Sequence, residues 1–116
     1  MPAMHITTML DGVTATVTPR GELDHDTLPL LRAAVAELPG HVTRVTWDLR
    51  EIHFMDSAGL HLLTDPPASD GGPARSVSVT GLTAQTRRLL SVAAAVFPTE
   101  DFAQFLANEH AVEQAA

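Results

Sequence analysis

Strands that alternate with helices predict a single α/β domain over residues 1–116, with a mixed sheet of four or five strands and about four helices. Two alternating, β-branched runs, Val13-Thr-Ala-Thr-Val-Thr18 and Ser76-Val-Ser-Val-Thr80, read as strands. Leu31, Ala34, Val35 and Leu38 recur at i, i+3, i+4 and i+7, the spacing of one helix face. Proline and glycine fall between these runs, where turns are needed.

In chain order, Ile6 to Leu10 forms the first strand, and Asp11-Gly12 turns it into the second, Val13 to Thr18. Pro19-Arg20-Gly21 is expected to interrupt the pairing. A helix opens at Asp26 or Thr27, either of which suits a cap, tolerates Pro29 in its first turn and stops at Pro39-Gly40. The third strand points Val45, Trp47 and Leu49 one way and Arg44, Thr46 and Asp48 the other, with Trp47 in the core. A helix starts after Met55-Asp56-Ser57 and should last only two turns, because Thr64-Asp-Pro-Pro-Ala-Ser-Asp-Gly-Gly-Pro73 resists regular structure. That 64–73 stretch is expected to be an exposed, poorly ordered loop.

Ser76 to Thr80 supplies a further strand, and its serines imply a sheet face wetter than one covered on both sides. Gly81 marks a joint with unusual backbone angles, and Thr83 caps a helix whose apolar face holds Leu89, Ala93 and Val96, widened by Leu90 and Val92. Val96-Phe97-Pro98 reads as a short edge strand. Phe102, Phe105 and Leu106 anchor a terminal helix with a fraying last turn.

Composition narrows the function. Fourteen acidic against seven basic residues give a net charge of -7, which disfavours nucleic acid, whose affinity rests on positive side chains. No cysteine is present, so disulfides and thiolate metal sites drop out. No basic, apolar leader and no membrane-length apolar run is visible, so a cytoplasmic protein without a membrane partner is expected.

The chemistry-bearing residues gather at two turns. Ser57 lies where a strand gives way to a helix beside free backbone N–H groups, so the site is a plain helix cap, a phosphate-binding turn or an acceptor of a phosphoryl group, and its neighbourhood favours the last. Asp24 and Asp56 suit turn positions, where carboxylates accept backbone N–H bonds. As a catalytic pair they lack a sign of a raised pKa, and Asp48 reads as a structural acid. His25, Asp26, His53 and His61 lack close ligand spacing, so no metal is expected, and His53 should pack or bond within its turn. Met55-Asp56-Ser57-Ala58-Gly59 is not the Gly-x-Ser-x-Gly elbow of a hydrolase, so no catalytic residue and no enzyme activity are expected.

Two motifs, Gly21-Glu-Leu-Asp-His-Asp-Thr27 and Asp48-Leu-Arg-Glu-Ile-His-Phe-Met-Asp-Ser-Ala-Gly-Leu60, resemble the STAS family, the domain of sulfate transporter tails and bacterial anti-sigma factor antagonists. Gly81-Leu82 and the stretch from Phe97-Pro98 to Phe102 extend the resemblance over roughly 6–109. It implies a STAS-like fold and an anti-sigma factor antagonist (anti-anti-sigma factor). Such a protein binds an anti-sigma factor of histidine-kinase-like ATPase fold when Ser57 is free, and is switched off when that partner phosphorylates Ser57. Partner contacts would come from Asp24, Asp56, Ser57, Gly59 and Leu60, with no cofactor of the chain's own, and a serine phosphatase is admitted as a further partner. The alternative is a non-switching STAS scaffold or signalling-complex subunit. The 64–73 loop departs from the long family helix, and Ala58 stands where a second serine is frequent.

Overall fold

The computed structural model describes residues 4–64, 75–100 and 102–106. Its elements run β1 (Met4–Asp11), β2 (Thr14–Leu23), α1 (Leu28–Ala36), β3 (Arg44–Asp48), β4 (Ile52–Met55), α2 (Ser57–Thr64), β5 (Ser76–Thr80) and α3 (Ala84–Val96). A 3-10 turn at Pro98–Glu100 and a helical stretch at 103–106 follow. The sheet is mixed: β1 pairs antiparallel with β2, β3 and β4 both run parallel to β2, and β5 runs parallel to β3.

Alternation sorts the strands into two faces. Ala15, Val17, Val45, Trp47 and Val79 are buried and join Leu31, Val35, Leu62, Leu63 and Leu90 of the helices in one core. The intervening Thr14, Thr16, Thr18, Thr46 and Ser78 are half-buried on the other face, where Thr46 and Ser78 share a 2.8 Å hydroxyl hydrogen bond. One layer of helices therefore covers one side of the sheet, which explains the polar alternation of β5.

Several expectations are corrected. Pro19 does not break β2, because β1 pairs through it while the other flank is unpaired between Val17 on β3 and Gly21 on β4. A residue without an N–H is tolerated at such a gap. The 45–55 stretch is two strands. Asp48 Oδ1 accepts the Arg50 backbone N–H at 3.2 Å and the Arg50 Nε at 3.0 Å, and the Ile52 N–H closes on the Leu49 carbonyl at 3.1 Å, so a turn at Leu49–Glu51 separates β3 from β4. Beyond it β4 resumes along β2, with a register shift between Gly21 and Glu22.

Val96-Phe97-Pro98 is not a strand. Helix α3 runs to Val96, the Phe97 N–H bonds to the Ala93 carbonyl at 2.8 Å, and Pro98 opens the 3-10 turn. Within α3 the buried residues are Thr86, Leu90 and Ala93, whereas Val92 and Val96 are exposed. The apolar face is thus rotated from the expected one.

Other expectations hold. Thr83 caps α3 by accepting the Thr86 N–H, and α2 is eight residues long. Phe102 and Phe105 are buried. Gly81 takes φ 70°, and a Cβ there would sit 2.6 Å from Asp48 Oδ1, so only glycine passes this strand-to-helix joint unstrained. The expected 64–73 loop, save Thr64, and the fraying last turn lie outside the described residues.

Candidate functional site

The sheet brings the two motif turns together. Leu23 pairs with Met55 at the adjacent ends of β2 and β4, and the Asp56 N–H bonds to the Leu23 carbonyl at 3.2 Å. The turn carrying Asp24 therefore lies beside the turn carrying Asp56 and Ser57. Parallel strands leaving one sheet end together make this the natural place for a site.

Each turn is fastened by its own aspartate. Asp24 Oδ1 accepts N–H bonds from Asp26 and Thr27, both at 3.0 Å. The buried Thr27 hydroxyl accepts the Asp24 N–H at 3.0 Å and donates to the Glu22 carbonyl at 2.8 Å. Thr27 occupies the α1 cap position, but its side chain makes no cap bond to the helix. It locks the preceding turn instead. His25 and Asp26 are exposed at its tip, and His53 is exposed on β4, not packed as expected.

Asp56 caps α2: its Oδ1 accepts the Ala58 N–H at 2.8 Å. The cap expected of Ser57 is thereby taken one residue earlier, because Asp56 is the last non-helical residue and its carboxylate is the stronger acceptor. Ser57 becomes the first helical residue, exposed, with no hydrogen bond from its hydroxyl among the described residues. A primary hydroxyl without a structural duty, at the positive end of a helix, is available to a partner. Gly59 is buried, and a Cβ there would overlap the Met55 side chain. Its place is beneath the turn rather than on its surface, while Leu60 is half-buried at the rim.

A groove of about 380 Å³ opens beside Ser57. One wall is α2, through Ser57, Leu60, His61 and Thr64; the other is Phe97, Glu100 and Phe102. Phe97 stacks edge-on to Phe102, with centroids 6.5 Å apart, and remains 52% exposed. An exposed aromatic beside a free hydroxyl offers contact area of the kind that anchors interfaces. Reading Phe97 as part of a strand hid this wall from sequence analysis.

Gln85 was also missed. Its side-chain amide accepts the Met55 N–H at 3.0 Å and donates to the Met55 carbonyl at 2.8 Å. Because among the described residues β5 pairs only with β3, this amide acts as a one-residue substitute strand on the flank of β4, immediately before Asp56 and Ser57. No local signal marks it, since the partners are thirty positions apart. Replacing Gln85 by Leu is expected to cost about 1–3 kcal/mol by stranding both Met55 groups. It should also raise hydrogen exchange at the Met55 amide, and unchanged exchange there would contradict this role.

Among the described residues no three His, Asp or Glu side chains gather as a metal site, and no helix is long and apolar enough to cross a membrane. Asp48 is occupied by Arg50 and lies at the Gly81 joint.

The family model described as "Mlab, STAS domain" matches residues 6–95. Among solved structures, an anti-sigma factor antagonist from Mycobacterium paratuberculosis is similar, with TM-score 0.62, 24% identity and 83% of this chain and 84% of that one covered. The anti-sigma factor antagonist SpoIIAA in its unphosphorylated form gives TM-score 0.54 and 23% identity over 77% of this chain and 82% of that one. The Bacillus cell fate determinant SpoIIAA in the phosphorylated form gives TM-score 0.54 and 24% identity, with 78% and 83% covered. At these identities the likeness is one of fold. No curated protein sequence matches the chain.

Proposed function

The chain belongs to the STAS family, and from that premise we propose that it is an anti-sigma factor antagonist whose partner is a kinase-type anti-sigma factor. The observation that carries this reading is the exposed Ser57 hydroxyl, relieved of capping by Asp56 and set between the Asp24 turn and the Phe97 groove. The partner would supply ATP, Mg²⁺ and a base, and this chain only the acceptor. In the transfer, the Ser57 oxygen forms the new O–P bond to the γ-phosphorus, the bridging P–O bond breaks with release of ADP, and the hydroxyl proton passes to the partner's base.

The switch follows from charge. Phosphate adds about two negative charges at pH 7 beside Asp56, with Asp24 in the adjoining turn. The α2 N-terminus tolerates that charge, so the fold persists. A partner surface matched to a neutral hydroxyl meets instead a bulky dianion that must be desolvated. Asp24, Asp56, Ser57 and Leu60 form the recognition surface, Gly59 supports it from below, and a serine phosphatase would reset it. This reading places the protein in the cytoplasm as a non-enzymatic regulator of transcription.

Incubation with a kinase-type anti-sigma factor, ATP and Mg²⁺ is expected to add one phosphate to the peptide containing Ser57, read by mass spectrometry. The Ser57→Ala chain should take none. A phosphate on another residue, or none on wild type despite tight binding, would reject the assignment. The matched family model is described by Mlab and not by an antagonist, which favours a second reading as a non-switching STAS subunit. There the same face would dock whether or not Ser57 carries charge.

A further inference from the structure

We propose that β1 is a homodimerisation edge, pairing antiparallel with β1 of a second copy about a two-fold axis at Thr8. The sheet order leaves the outer edge of β1 unpaired among the described residues. It is eight residues long and contains no proline, lysine or arginine, so the usual guards against strand addition are missing. The opposite edge, β5, has only five residues.

The hairpin fixes which backbone groups are available. Its loop holds only Gly12 and Val13, so Asp11 and Thr14 close it as a hydrogen-bonded pair. Such pairs alternate along an antiparallel ladder, so Met9, Thr7 and His5 also bond to β2. Met4, Ile6, Thr8 and Leu10 therefore turn their N–H and C=O groups outward.

Side chains select both the register and the occupant. A two-fold axis sets one residue opposite its own copy, and with Thr8 there Ile6 faces Leu10 of the second copy and His5 faces its Asp11. His5 adjoins Arg20 across the hairpin, so Asp11 of the second copy meets an imidazole with a guanidinium beside it, twice by symmetry. Centring on Thr7 would leave Asp11 without that partner and set His5 opposite Met9. The polar ends of this hairpin thus complement each other when the strand is read backwards, Asp11 of each copy meeting the His5 and Arg20 pair of the other, which singles out a second copy as the occupant.

The surface beneath agrees. An open groove of about 560 Å³ separates Met4, Ile6 and Leu10 of β1 from Leu30 and Ala34 of α1 and Leu38 just beyond its end. Leu10 is 51% and Leu30 41% exposed. An added β1 would bring its own Ile6 and Leu10 onto the open side of this groove, burying apolar surface in both copies. The edge is built from residues other than those of the Ser57 site, and its test is independent of that reading.

Sedimentation velocity of the full chain at rising concentration is expected to show a species of twice the monomer mass. Thr8→Pro deletes a central outward N–H and should weaken association at least tenfold with circular dichroism unchanged. The chain has no cysteine, so one can be placed cleanly. Directly opposed residues in a hydrogen-bonded pair lie about 5.5 Å apart at Cα, within disulfide reach. Oxidised Thr8→Cys should therefore give a covalent dimer in at least tenfold greater yield than Thr7→Cys, whose copies are offset along the strands. A monomer at every concentration, a dimer indifferent to Thr8→Pro, or equal cross-linking at both positions would overturn the proposal.

Discussion

Replacing Arg75 by Met is expected to lower the stability of the domain by about 3–4 kcal/mol, a drop of roughly 10–20 °C in melting temperature. Arg75 is 7% exposed and its guanidinium is spent on backbone carbonyls. Nε donates to Val42 at 2.9 Å and Nη1 to Val35 at 3.0 Å, while Nη2 donates to Leu38 at 3.3 Å and Pro39 at 3.0 Å. Three of these acceptors belong to the end of α1 or just beyond it, where carbonyls lack the i+4 donor of a continuing helix and the dipole is negative; Val35 and Pro39 each also accept one backbone N–H. One cation thus ties the α1 terminus, the loop into β3 and the entry to β5.

Methionine fills similar volume but takes the donors from the carbonyls of buried Leu38 and Val42, whereas Val35 keeps the Leu38 N–H and Pro39 the Val42 N–H, both at 3.1 Å. The penalty is that of unmade bonds in a poorly solvated place. Arg75→Lys keeps the charge but cannot span four acceptors, so about half the loss should remain. Urea unfolding of the three proteins checks this, and a loss below about 1 kcal/mol for Arg75→Met would show that the fork is not holding the layers together.

The second large effect is on binding. Ser57→Asp is expected to weaken association with the kinase-type anti-sigma factor about 100-fold or more, the scale of an uncompensated charge buried at an interface. Ser57→Ala should bind within a few-fold of wild type, because the hydroxyl makes no hydrogen bond among the described residues and so holds little in place there. Both variants should unfold within about 0.5 kcal/mol of wild type. That measurement separates the two roles of Ser57: had its hydroxyl capped α2, Ser57→Ala would cost about 1 kcal/mol. Titration calorimetry gives the affinity, and equal binding by wild type and Ser57→Asp would reject the switch in favour of a constitutive STAS subunit.

Local chemistry made much of this protein legible in its residues alone. Alternation located β2, β3 and β5, because one face of the sheet is buried and the other is not. The spacing of Leu31 and Val35 located α1, though it ends at Ala36, before Leu38, and the proline and glycine block marked α2 as a helix of about two turns. Thr83 and Gly81 declared the joint before α3 through a hydroxyl cap and a backbone angle, both properties of single residues. Ser57, Asp24 and Asp56 were recognisable as one region's chemistry from two short motifs.

Tertiary structure decided what depends on distant partners. Pro19 could stay in β2 only because the β3 and β4 flank leaves a gap there. Phe97 could leave a strand for a groove wall only because α3 continued beneath it. Asp56, the residue between the end of β4 at Met55 and the start of α2, took the cap, which leaves the Ser57 hydroxyl without a bond among the described residues. Gln85 and Arg75 carried no local signal, since each satisfies backbone groups thirty or more positions away. A sequence exposes the preferences of neighbours within a turn or a strand; the destination of an orphaned carbonyl or amide is fixed only when packing brings its donor within three ångströms or so.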